Sequence, residues 1–300
     1  MIDVKWPLPA VMVLAVVFLL SACQPILVTP STETKPVTAL DAGMLAQFES
    51  NVDELRQKLK IPGLSATIVK DQEVIWAKGF GYADLENGIP ATEKSAYEIA
   101  SLTKPFAATL LMQLVETGQL DLDVPMAELL RDTAFTFPPP AEAPAEGYAA
   151  LCAGIQEIGR STSGPLAPYA FLFQEYNCEN EAITVRHHLT HTSQGTPGDE
   201  YRYNGFLYGL LSWVIEAVTG KQYEQVLVHN IIEPLEMMDT VPKPGAARAT
   251  EILAEMARPY QVDDSGKIVL ADYQTTGHVD AASGIVSTVL DLAKFDAAMD

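Results

Sequence analysis

The chain has 300 residues, 48% of them hydrophobic, and its 39 acidic against 19 basic side chains leave a net charge of -20 at pH 7. That length and apolar content suffice for a substantial core in one or two domains and exclude a disordered chain. The acidic surplus repels phosphate backbones and anionic headgroups, which excludes nucleic acid as a partner and a purely electrostatic hold on a membrane.

At the N-terminus, Lys5 precedes an apolar run from Ala10 to Leu20, too short for the roughly 20 residues that span a bilayer. It is read as a secretory signal over residues 1–22. The run ends in Leu20-Ser21-Ala22-Cys23, which resembles the bacterial lipobox, in which the cysteine is diacylated and becomes the first mature residue. The alternative is an ordinary signal. Gln24 follows in place of an aspartate, so the resemblance implies lipid anchoring in a bacterial cell envelope, on the periplasmic face of the outer membrane in a Gram-negative host. Residues 23–40, rich in Pro and Thr, are read as a lipidated flexible tether.

From Asp41 to Lys60, Leu45, Phe48, Val52, Leu55 and Leu59 recur by threes and fours, which predicts an amphipathic helix that Pro62-Gly63 stops. The runs 64–70 and 74–80, joined by Asp71-Gln72-Glu73, predict an antiparallel hairpin. Ser101-Leu102-Thr103-Lys104 then enters an apolar run with Phe106, Leu110, Leu111, Leu114 and Val115, ended by Gly118. Residues three apart share a helix face, so Lys104 can reach the Ser101 hydroxyl if the helix starts there. Such a start points unpaired N–H groups and the positive dipole end at the nucleophile, and a buried lysine can accept its proton. Taken alone, a serine three before a lysine is equally an N-cap beside a surface lysine.

Asp121 to Leu130 predicts a short helix, and the Pro-, Ala-, Glu- and Gly-rich sequence up to Ile183 reads as a long irregular insert over 131–183. Cys152 and Cys178 lie inside it, as a disulfide or as two buried thiols. His187 and His191 stand at metal-ligand spacing, but no glutamate or further ligand cluster accompanies them, which favours structural roles and no metal. His191-Thr-Ser-Gln-Gly195 half-matches a nucleophile elbow and makes Ser193 a weak rival to Ser101. Tyr203-Asn204-Gly205 precedes an apolar helix from Leu207 to Val218 that Gly220 ends. A further amphipathic helix spans about Tyr223 to Ile232, a hairpin forms around Asp263-Asp-Ser-Gly266, and Thr288-Val-Leu-Asp291 opens the last helix as a capping box.

Five ordered segments (Ser101-Leu-Thr-Lys104, the 184–193 histidine stretch, Tyr203, Ile215-Glu-Ala-Val-Thr-Gly220, and Ser283 to Phe295) together resemble the serine β-lactamase-related hydrolases over about residues 45–300. That family comprises class C β-lactamases, D-aminopeptidases, DD-peptidases and esterases. The resemblance implies an α/β (α+β), β-lactamase/transpeptidase-like fold, with an antiparallel sheet flanked by helices plus a mainly helical domain, over residues 41–300. It implies Ser101 as nucleophile, Lys104 as its base and Tyr203 as the residue shuttling a proton to and from the leaving group, with no cofactor. The expected reaction is hydrolysis of an ester, amide or β-lactam through an acyl-serine, on a small-molecule or peptidoglycan-derived substrate. A non-catalytic envelope protein that binds wall peptides or a protein partner is the alternative. Two departures stand out: Gly205 occupies the place of the family's Y-x-N asparagine, and the late K/H-T-G motif is not reached, so the C-terminal strands are expected to be missing.

Overall fold

The computed structural model describes residues 42–133, 147–161, 163, 167–180, 182–242, 249–254, 256–271 and 279–299. The signal, Cys23 and the tether fall outside the described residues. The chain forms two compact units, Met1–Glu49 and Ser50–Asp300, and of the first only residues 42–49 are described, as the opening turns of helix α1 (Ala42–Lys58).

Strands β1 (Gly63–Lys70) and β2 (Glu73–Asp84) pair antiparallel, with Gly63 opposite Gly81 and Lys70 opposite Glu73. Asp71 and Gln72 between them both take left-handed backbone angles (φ 51° and 64°), the geometry that matches a two-residue turn to strand twist. β3 (Ile89–Pro90) adds to the β2 edge. β4 (Tyr97–Glu98) leads directly to Ser101. β5 (Tyr260–Val262) and β6 (Ile268–Leu270) form a separate hairpin closed by Gly266 at φ 81°. β7 (Val286–Ser287) pairs with β4.

Helices make up most of the rest. α2 (Lys104–Glu116) buries Phe106, Leu110, Leu111 and Leu114, the stripe expected from its spacing, and Gly118 (φ 69°) ends it. Phe106 stacks on Phe295 with ring centroids 4.0 Å apart. Truncating a leucine as enclosed as Leu111 typically costs about 2–5 kcal/mol. α3 (Met126–Leu129) is a single turn.

The stretch read as irregular holds a real helix, α4 (Gly147–Arg160). Tyr148, Leu151, Cys152, Ile155 and Ile158 form its buried stripe and join the main core. Its apolar residues recur by threes and fours, but the flanking Pro- and Gly-rich sequence reads as loop. A 3-10 turn (Ala167–Phe173) and α5 (Val185–Leu189) follow.

The helix expected over 207–218 is broken in two, α6 (Gly205–Gly209) and α7 (Leu211–Thr219). At the break the Ser212 hydroxyl donates to the Gly209 carbonyl (2.8 Å) and accepts from the Ala281 N–H (2.7 Å), so the helix yields a bond to hold the 280–283 loop. α8 (Tyr223–Leu227) runs into a π turn (Val228–Ile232), and α9 (Ala249–Ala254) and α10 (Val289–Met299) complete the set.

At the start of α10, Thr288 caps the Asp291 N–H (3.2 Å), but Asp291 does not return the bond as a capping box would. Its buried carboxylate instead accepts from the Asp239 N–H (2.7 Å), the Thr240 hydroxyl (2.9 Å) and Lys294 Nζ (2.7 Å). Partners some 50 residues away outcompete the local one. Together β7, the 280–283 loop and α10 close over the N-terminal end of α2.

Candidate active site

Ala100 sits in the left-handed region (φ 45°), a conformation that costs an alanine about 1 kcal/mol. The bend turns the chain out of β4 and into a 3-10 turn (Ala100–Thr103) that feeds α2. Ser101 is therefore exposed at the mouth of a 13-residue helix while Lys104, one turn on, points inward and is 8% exposed. Lys104 Nζ donates to Ser101 Oγ (3.1 Å) and to the Ala282 carbonyl (3.1 Å). Asp280 shapes that loop by accepting from the Ala282 and Ser283 N–H groups at 2.7 and 2.9 Å.

Tyr203 reaches the same oxygen, its hydroxyl donating to Ser101 Oγ at 2.6 Å. Lys104 Nζ also lies 5.0 Å from the Tyr203 ring centroid and 5.4 Å from that of Tyr208, whose hydroxyl donates to the Lys104 carbonyl. Partial burial pushes the Tyr203 phenol up, but its hydrogen bonding with Lys104 and Ser101 and the lysine charge outweigh it and leave the phenol below its ordinary value of 10.0. Burial, and next the proximity of Tyr203, push Tyr208 up to about 12, so it remains a neutral brace. Two donors on one oxygen stabilise an alkoxide there.

His191, read from sequence as structural, stands in this cluster. Its ring is tilted against Tyr203 (centroids 4.7 Å), stacked on Tyr208 (5.0 Å) and edge-on to Tyr201 (5.7 Å). Its Nδ1 accepts from the Asn204 N–H at 3.2 Å, which fixes the chain one residue past Tyr203. Burial, and secondarily the Lys104 charge, hold the imidazole below its ordinary value, so it accepts as the neutral form. The three tyrosines at 201, 203 and 208, all within seventeen residues after it, are the sequence signal that could have marked it.

Asn204 does not stand in for the asparagine lost at 205. It is buried, its Oδ1 accepts from the Leu207 N–H (3.1 Å) to cap α6, and its Nδ2 donates to the Leu172 carbonyl and to Gln194 Oε1 (3.1 Å). Gly205 faces Lys104 with no side chain.

His187 turns away from His191: its Nδ1 accepts from the Thr184 N–H (3.1 Å) as the second half of a capping box on α5. Among the described residues no group of three or more His, Cys, Asp or Glu is placed to hold a metal ion. Ser193 is buried, and none of the hydrogen bonds joining Ser101, Lys104 and Tyr203 involves it. Cys152 on α4 and Cys178 are joined by a disulfide with Cα atoms 5.5 Å apart, tying α4 to the segment that carries the 3-10 turn.

A family model described as Beta-lactamase matches residues 48–300. The chain belongs to the beta-lactamase family. Protein flp of Staphylococcus aureus (strain NCTC 8325 / PS 47) is 27% identical over 202 residues, covering 65% of this chain and 37% of its own. This beta-lactamase-family chain thus spans little more than a third of that relative. Among solved structures, the octameric penicillin-binding protein homologue from Pyrococcus abyssi aligns with a TM-score of 0.60 at 28% identity, over 84% of this chain and 55% of that one. The D-alanine carboxypeptidase AmpC from Burkholderia cenocepacia aligns with a TM-score of 0.57 over 86% of this chain and 65% of its own, and at 20% identity shows the fold alone. The beta-lactamase/transpeptidase-like fold, with helices around small antiparallel sheets, is the one expected from the ordered motifs.

Proposed function

We propose that this protein is a serine hydrolase that works through an acyl-serine intermediate on an ester, amide or β-lactam bond of a small-molecule or peptidoglycan-derived substrate. The observation that carries the reading is the double approach to Ser101 Oγ, 3.1 Å from Lys104 Nζ and 2.6 Å from Tyr203 Oη. In this reading Ser101 attacks the carbonyl carbon and passes its proton to Lys104 or Tyr203. The Ser101 N–H, at the mouth of α2, donates to the developing oxyanion. Tyr203, more than half exposed and with a lowered phenol, returns the proton to the leaving group, and water then cleaves the acyl-serine.

A fluorophosphonate, which phosphonylates an activated serine hydroxyl, tests this reading. The wild-type protein is labelled and Ser101→Ala is not; a wild-type protein that stays unlabelled points instead to a non-catalytic binding protein of this fold.

Exported, lipid-anchored placement in a bacterial envelope is part of the same proposal, with Cys23 as the acylated residue. The Cys152–Cys178 pairing supports an oxidising compartment. Among the described residues no helix is long and apolar enough to cross a membrane. The mass of the mature N-terminus checks it: a diacylated Cys23 is expected, and a mature chain that starts elsewhere removes the anchor.

A further inference from the structure

Both chain neighbours of Tyr203 are bonded to one short strip, residues 172–175. Arg202 Nη1 donates to Glu175 Oε2 (2.6 Å), and Asn204 Nδ2 donates to the Leu172 carbonyl. Gln194, whose Oε1 accepts from the same Asn204 amide (3.1 Å), donates through Nε2 to the Leu172 and Gln174 carbonyls (3.3 and 2.7 Å). The Gly195 N–H donates to the Glu175 carbonyl (2.8 Å), and Phe173 meets Phe206 edge-on (5.9 Å). Every residue from Leu172 to Glu175 thus touches the 194–206 stretch that carries Tyr203.

On its other side the strip is pinned to α4. A Cβ added at Gly159 would lie 3.4 Å from that of Phe173, the Tyr148 and Tyr176 hydroxyls are 3.4 Å apart, and Cys178, three residues past Glu175, is bonded to Cys152. Of these ties only the disulfide is covalent, and it joins the strip to a helix whose Leu151, Ile155 and Ile158 belong to the main core. Glu175 shows that the strip is held rather than at rest. Its backbone is left-handed (φ 58°), a conformation a glutamate keeps only while its surroundings impose it. Released, Glu175 turns back toward right-handed angles and carries its carboxylate away from Arg202.

We propose that the Cys152–Cys178 disulfide positions Tyr203 against Ser101 through the 172–175 strip, so that the disulfide form of the chain is the active one and the dithiol form has low activity. This rests on the serine hydrolase reading. An added dithiol makes the change by exchange: its first thiolate attacks one sulfur and expels the other cysteine as thiolate, and its second thiol resolves the mixed disulfide, leaving two protein thiols and a cyclic reagent disulfide. A small cyclic disulfide in excess runs the exchange backwards. Ser101 and Lys104 bond to each other and to the Ala282 carbonyl, and none of these bonds involves the strip. Reduction therefore acts on the proton carrier and leaves the nucleophile and its lysine in place.

The protein is reduced with dithiothreitol, freed of excess reagent, checked for the two thiols by alkylation, and assayed on p-nitrophenyl acetate against Ser101→Ala. The expected kcat falls by about 10- to 100-fold with KM little changed, and oxidised dithiothreitol restores it. In Tyr203→Phe, reduction leaves the residual rate where it was, an outcome that general loosening of the fold does not give. Should the reduced protein unfold, Gln194→Met carries the same test, since it keeps the disulfide and removes the amide that grips the strip. It lowers kcat by about ten-fold alone and by nothing further in the Tyr203→Phe background. A kcat that neither reduction nor Gln194→Met moves, or equal fractional losses with and without the Tyr203 hydroxyl, overturns the positioning role and leaves the hydrolase reading intact. Absence of Ser101-dependent turnover in both redox states overturns both.

Discussion

The Tyr203 hydroxyl and Ser101 Oγ lie 2.6 Å apart although 102 residues separate them in the chain. That contact is a short O–H···O bond between two side chains that both face solvent. It puts the Tyr203 hydroxyl within proton-transfer reach of the proposed nucleophile. Tyr203→Phe keeps the ring against His191 and over Lys104 but removes the hydroxyl. The expected loss in acylation rate is about 100- to 10,000-fold with substrate binding retained, read from single-turnover kinetics. A fully active Tyr203→Phe would assign the proton transfer to Lys104 alone.

His191 supplies a second prediction. It holds its neighbours through ring stacking and through one acceptor nitrogen, so it acts on the reaction through Tyr203. His191→Asn is chosen because asparagine tolerates the left-handed backbone angle at this position (φ 56°) but cannot stack. A drop in kcat/KM on the order of 10- to 100-fold is expected from the loosened Tyr203. Protonating His191 ends its acceptance of the Asn204 N–H and sets a second cation near Lys104. Activity of the wild-type protein therefore falls with an acid limb below the ordinary histidine value of 6.5, and that limb disappears in the variant. Persistence of the limb in His191→Asn would place the titrating group elsewhere.

His188, the histidine between, titrates against stability. It is fully buried, with Nδ1–H donating to the Leu207 carbonyl (2.8 Å) and Nε2 accepting from the Tyr176 hydroxyl (3.3 Å). Burial lowers its value to about 4 from 6.5 in the unfolded chain. Between those values the unfolded state binds the extra proton. Stability is thus intact above pH 6.5 and lost as pH falls toward 4, by about 3 kcal/mol in all. Denaturant melts across that window measure it. His188→Phe should flatten this part of the profile, costing about 1–3 kcal/mol above pH 6.5 for the orphaned Leu207 carbonyl and losing that deficit as pH falls toward 4; an unchanged slope in the variant would transfer the effect to another group.

How much of this was legible beforehand depends on the range of each interaction. Ser101 and Lys104 interact through one helical turn, which spacing shows directly, and Tyr203 was located by the order of flanking segments. The α1 periodicity, the β1–β2 hairpin and the glycine stops at 118 and 220 are likewise local. Asp291 was misread because its partners at 239 and 240 come from a remote loop that no periodicity reveals. α4 was missed for a different reason, since its stripe of Tyr148, Leu151, Cys152, Ile155 and Ile158 was on view but framed by Pro- and Gly-rich sequence that reads as loop. His191 was weighed only against a metal partner at His187. Its role lies in aromatic stacking that pair spacing does not encode.

The most direct measurement of the central claim is the site of covalent modification. After reaction with a fluorophosphonate, proteolysis and mass spectrometry should find the phosphonyl group on the peptide carrying Ser101 and on no other, with the adduct lost in Ser101→Ala and slowed in Lys104→Ala. An adduct on Ser193, or labelling that survives Ser101→Ala, would contradict the account.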